Sequence, residues 1–176
     1  MELFEWYIIR ATGTVAYVLL YLAVLTGLFS QVQKRRKKKV TSTLYLHESL
    51  SNWALILTCG HVLFLLIDSY ISFQWFEVLI PFKSHYKMLP MALGSLAFYF
   101  LIMTVITSKA RKKIGYQKWR RLHGLNPILY ILVTIHGLFI GSDFQGIVIA
   151  AANIVPLLIL GVLLLFDRKK TQAIQH

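Results

Sequence analysis

A chain of 176 residues that is 57% hydrophobic, with a mean hydropathy of +0.62, is too apolar for a soluble domain. The net charge of +12 would suit a nucleic-acid binder, but sixteen of the 19 Lys and Arg fall in three short runs that each follow an apolar stretch. That distribution excludes a basic face on a soluble module and matches the cytoplasmic loops of a multi-pass membrane protein.

Five apolar segments follow in chain order, over about 7–29, 50–70, 89–107, 122–140 and 146–166. Each approaches the ~20 residues a helix needs to cross a bilayer. Helix is the structure expected of each, because lipid offers no partner for free backbone groups. The predicted fold is an all-α integral membrane bundle of about five transmembrane helices, forming a single unit over 1–176 with no soluble flavin or nucleotide domain. The N-terminus MELFEWYIIR lacks a positive leader region, so the first segment reads as a retained span. Basic runs follow segments one (Lys34–Lys39), three (Lys109–Arg121) and five (Arg168–Lys170). They place the N-terminus outside and the C-terminus in the cytoplasm, in a cell membrane, with segments two and four both running outward. The segment 72–88 (SFQWFEVLIPFKSHYKM) is an outer loop, aromatic enough to predict a short interfacial helix. The lone Cys59 cannot form an internal disulfide, and Cys59-Gly60-His61 lacks the second cysteine of a c-type haem attachment motif.

Segment two carries His47 and His61, fourteen residues apart, and segment four carries His123 and His136, thirteen apart. Fourteen residues climb about 21 Å and return to nearly the same helix face. Thirteen miss that face by about 140° in a straight helix. Pro127, between His123 and His136, can absorb the difference by kinking or locally rewinding the helix. Parallel neighbours would pair His47 with His123 near the cytoplasm and His61 with His136 near the exterior. A single intramembrane histidine is expected to bond a neighbouring helix. Four, paired by spacing and by depth, suit two stacked b-type haems held by imidazoles as axial iron ligands. Zinc would instead need its ligands to converge on one point.

Other residues carry weaker signals. Arg10, inside the first span, can snorkel to headgroups or meet Asp68 or a haem propionate. Arg120 and Arg121 can serve propionates or simply belong to the basic loop, and Trp119 suits an interface anchor. Glu48 is placed to cap the start of segment two. His85, between Lys83 and Lys87, is expected to face solvent. His176, the last residue given, is expected to be disordered. Nucleotide loops, metalloprotease motifs and nucleophile elbows are missing from the sequence.

WYIIRATG (6–13), LHE with its distal histidine (46–61), PFKSHY (81–86), TSKARKKIGYQKWRRLH (107–123) and HGLFIGSD (136–143) together resemble the ferric reductase-like transmembrane family. That family includes the membrane halves of NADPH oxidases and the haem-binding subunit of periplasmic methionine sulfoxide reductase. The resemblance covers about Trp6 to Asp143. It implies two b-type haems that move single electrons across the membrane, one held by His47 and His123 and the other by His61 and His136. The oxidases and eukaryotic reductases have six spans and a fused flavin domain, whereas this chain is expected to have five and none. Its electrons would come from a separate flavoprotein, a quinol or another subunit.

The expected function is therefore a membrane electron-transfer protein, an oxidoreductase component that passes electrons outward to ferric iron or a similar acceptor. One alternative is a subunit that delivers electrons to a separate extracytoplasmic redox enzyme. Others are a haem sensor or assembly factor without turnover, and a haem-free scaffold. The expected partners are membrane lipid and a redox donor, with no nucleic acid.

Overall fold

The computed structural model describes residues 2–35, 37–141 and four later positions, 155, 158, 159 and 162. Among the described residues the ordered structure is helical: α1 (Glu2–Arg35), α2 (Thr41–Ile67), α3 (Trp75–Leu79), α4 (Met88–Lys109), α5 (Arg111–Ile114), α6 (Tyr116–His123) and α7 (Asn126–Ile140). Four stretches of the described residues are long and apolar enough to cross a membrane: Phe4–Lys34, Thr41–Ile67, Met88–Lys109 and Tyr116–Ile140. The fifth expected span, 146–166, lies outside the described residues apart from Val155, Leu158, Ile159 and Val162, which are helical and exposed. His176 and the expected cytoplasmic C-terminus also lie outside them.

α1 packs along α2, and α4 packs along α7. The up-and-down order brings the Lys34–Lys39 and Lys109–Arg121 runs to one end of the bundle, the basic end. The other end gathers Trp6, Tyr70, Trp75 and Phe82, and is the aromatic end. The core is small: Leu20, Ala54, Ala97, Leu101, Val105, Leu129 and Tyr130. Large apolar side chains such as Val18, Trp53, Ile56, Leu63, Ile106 and Phe139 face outward, as they do when the surrounding solvent is lipid. Hydroxyls within the spans donate to carbonyls one turn back, as from Ser51 to His47 (2.8 Å), Thr58 to Ala54 (2.7 Å) and Thr107 to Met103 (2.7 Å). Each thereby meets its need without a partner from water.

Three expected boundaries are corrected. α2 starts at Thr41, well before residue 50, because its first turns are too polar to register in an apolar window yet continue the helix. His47 is therefore in a helix interior, and Glu48 lies beyond the first turn and does not cap it. α2 also ends at Ile67. Asp68 takes an extended backbone and accepts the Ile71 N–H at 2.9 Å, which turns the chain before residue 70. The segment 122–140 is interrupted. Pro127, the second residue of α7, has no N–H to continue the ladder. Around it Leu125 bonds Leu122 (3.0 Å) and Ile128 bonds Leu125 (2.9 Å), a tighter three-residue pitch. His123 ends α6 on one side of this break, and His136 stands in α7 on the other.

The expected short helix in the 72–88 loop is α3. Its Glu77 is 5% exposed and accepts the Gln74 N–H (2.9 Å), the His85 N–H (3.0 Å) and the His85 Nδ1. The two backbone N–H groups, and then the imidazole, pull the Glu77 pKa from 4.5 to about 2. A depressed carboxylate pKa stabilises the fold above the unfolded value and ceases to do so as pH falls through the folded one. Emission from the loop tryptophan, Trp75, is therefore expected to hold above pH 4.5 and to change progressively toward pH 2. Glu77→Gln is expected to remove that transition. A wild-type transition centred near pH 6 would contradict the assignment.

Candidate haem site

The histidine rings sit in seats made by neighbouring helices. His47 Nδ1 lies 2.7 Å from the Ala23 carbonyl oxygen. His61 Nδ1 lies 2.8 Å from that of Ile9, and His136 Nδ1 lies 2.8 Å from that of Pro90. A carbonyl can only accept, so each Nδ1 carries a proton, which in a neutral ring leaves the Nε2 lone pair free. Four residues beyond each carbonyl stands a glycine: Gly27 after Ala23, Gly13 after Ile9 and Gly94 after Pro90. A Cβ at Gly27 would meet His47 Cε1 at 3.1 Å, one at Gly13 would meet His61 Cε1 at 2.9 Å, and one at Gly94 would meet His136 Cε1 at 2.5 Å. In a helix the N–H at i+4 already bonds the carbonyl at i. Glycine at i+4 clears the way to the carbonyl's second lone pair, and the imidazole uses it.

His123 is seated differently. Its Nδ1 is 3.4 Å from Ser108 Oγ and 3.5 Å from Asn126 Nδ2. Its ring stacks on Trp119, with centroids 5.0 Å apart and planes at 27°. Asn126 is held in turn by Thr104, whose hydroxyl donates to Oδ1 at 2.8 Å.

The rings fall at two levels. At the basic end His47 and His123 face each other with centroids 5.9 Å apart and planes at 80°. Toward the aromatic end His61 and His136 line one cavity of about 260 Å³, together with Gly13, Gly94, Arg10 and Asp68. Between the levels the Tyr17 hydroxyl bonds Tyr130 (2.8 Å) and Thr134 (3.1 Å), and the two tyrosine rings stack.

These residues fit a haem. His47 and His123, with ring centroids 5.9 Å apart, are close enough for both imidazoles to reach one metal ion at about 2 Å. Nδ1–H bonded to a backbone carbonyl is the usual support of a histidine that ligates through its other nitrogen. A four-ligand zinc centre does not fit: among the described residues no three His, Cys, Asp or Glu side chains converge.

The weaker candidates are placed as follows. Arg10 lies over the Trp6 ring at 4.0 Å and borders the same cavity as Asp68. Arg120 and Arg121 are exposed beside His123. The His85 side chain is 61% exposed, as expected, and also bonds Glu77. Sequence reading overlooked Gly13, Gly27, Gly94 and Ser108, and took Trp119 for an anchor. The glycines did leave a signal. Gly13 and Gly27 stand fourteen apart, the interval between His47 and His61 on the antiparallel helix.

A profile of the family described as ferric reductase like transmembrane component matches residues 12–134, well over half of the chain. The match contains His47, His61 and His123 and stops just before His136. No curated protein and no solved structure matches the chain.

Proposed function

Because the chain belongs to the ferric reductase-like transmembrane family, we propose that it is a multi-pass membrane electron carrier that holds two b-type haems. When bound, such a group supplies a one-electron redox centre. His47 and His123 hold one at the basic end, and His61 and His136 hold the other toward the aromatic end. The observation that carries this reading is the shared seat of His47, His61 and His136, each Nδ1 on a carbonyl bared by a glycine. The carbonyls fix each ring's tautomer and aim its free nitrogen, while the surrounding apolar side chains exclude water. The basic end faces the cytoplasm of a cell membrane by the excess of Lys and Arg in its loops. Electrons enter there from a flavoprotein or quinol and leave at the aromatic end to ferric iron or a similar acceptor.

Vesicles that enclose NADH and a flavin reductase, with the aromatic end outward, test this direction. Ferric citrate added outside is expected to discharge the reduced b-type absorbance within seconds. Absorbance that persists in ferric citrate but falls when a purified extracytoplasmic redox enzyme is added would replace free ferric iron with a partner enzyme as acceptor. Absorbance that never develops would overturn entry from the basic end.

A further inference from the structure

Three of the four histidines have the same seat, and the fourth breaks the pattern at one residue. On α1 the seat glycines are fourteen residues apart, Gly13 and Gly27. On α4 the residue fourteen after Gly94 is Ser108, and the residue fourteen after Pro90 is Thr104. Ser108 therefore occupies the glycine position of the His123 seat, and Thr104 the carbonyl position. The serine Cβ and hydroxyl stand where the other seats are open. His123 Nδ1 lies 3.4 Å from that hydroxyl, against 2.7 to 2.8 Å from a carbonyl at the other three. Such a distance is near the limit of a hydrogen bond. The hydroxyl is also claimed by Trp119, whose Nε1–H donates to it at 3.2 Å. What holds the His123 ring is chiefly the Trp119 face, at 5.0 Å.

A carbonyl that accepts Nδ1–H makes an imidazole a more basic ligand. A more basic ligand favours ferric over ferrous iron and lowers the reduction potential. We propose that Ser108 is a positioning residue that makes the two haem sites unequal. By denying His123 a carbonyl partner, it sets the potential of the His47/His123 site above the value a glycine there would give. This rests on the haem-binding reading above.

The test is a potentiometric titration of the purified full-length protein, wild type, Ser108→Gly and Ser108→Ala, with haem counted first. Ser108→Gly opens the Thr104 carbonyl. It is expected to keep two haems and to shift one midpoint downward while the other stays. Ser108→Ala removes the hydroxyl but keeps the Cβ, and is expected to show no downward shift. Two haems and unmoved midpoints in Ser108→Gly would overturn the inference and leave the haem reading intact. So would a downward shift in both variants, an equal shift of both haems, or loss of one haem from Ser108→Gly. A wild-type protein with no haem would overturn both.

Discussion

Gly94→Ala is expected to empty the His61/His136 site while leaving the helices folded. The new Cβ would stand 2.5 Å from both Cε1 and Nδ1 of His136, well inside ordinary contact. The ring cannot retreat without giving up its 2.8 Å bond to the Pro90 carbonyl. Helix propensity works the other way, since alanine is better than glycine by about 1 kcal/mol in a helix interior. Loss of haem would therefore report the seat and not a weakened α4. Gly60, next to His61 in sequence, is the matched control, because a Cβ there meets nothing within 4 Å. Haem per polypeptide is expected to fall by half in Gly94→Ala and to stay at the wild-type level in Gly60→Ala. A fully loaded Gly94→Ala protein would contradict the seat.

His47→Ala is expected to halve the haem content and also to abolish electron transfer across the membrane. The Ala23 carbonyl loses the imidazole but keeps its intrahelical partner, so α1 and α2 should still pack. What fails is the relay. His47 and His61 are fourteen residues apart, about 21 Å along the helix at 1.5 Å per residue. That distance is most of a hydrocarbon core about 30 Å thick. A chain left with only the aromatic-end site has no redox centre near its donor. In the vesicle assay the rate of reduction from inside is expected to drop to that of protein-free vesicles. A rate near wild type would mean that the two levels do not act in series.

Much of this arrangement could be read from the sequence. Length and apolarity set the spans, because a helix in lipid needs only enough apolar residues. The four histidines stood out because an ionisable side chain in a span needs a reason. Pro127 marked where the fourth span would deviate, and of a kink and a local rewinding the outcome is the rewinding, at the break between α6 and α7. The ends of α2 were not legible. Apolar windows follow the lipid-facing surface, whereas a helix can run on into polar residues such as Thr41 to Thr43 or stop early at an Asp68 turn.

The seats were the least legible part. Gly13, Gly27 and Gly94 matter for what they leave out, and a glycine in an apolar helix has many ordinary uses in close packing. Only the antiparallel packing of α1 on α2, and of α4 beside α7, gives the fourteen-residue interval its meaning. Ser108 was invisible for the same reason, since its role is defined by comparison with three glycines elsewhere in the fold.

The most direct test of the central claim is haem content per polypeptide of the purified wild-type protein, taken with its reduced-minus-oxidised spectrum. The arrangement of His47, His61, His123 and His136 predicts two b-type haems, both low-spin with two imidazole ligands. Protein purified without haem from cells well supplied with it would contradict the claim, and would return these four histidines to the packing of one helix on another.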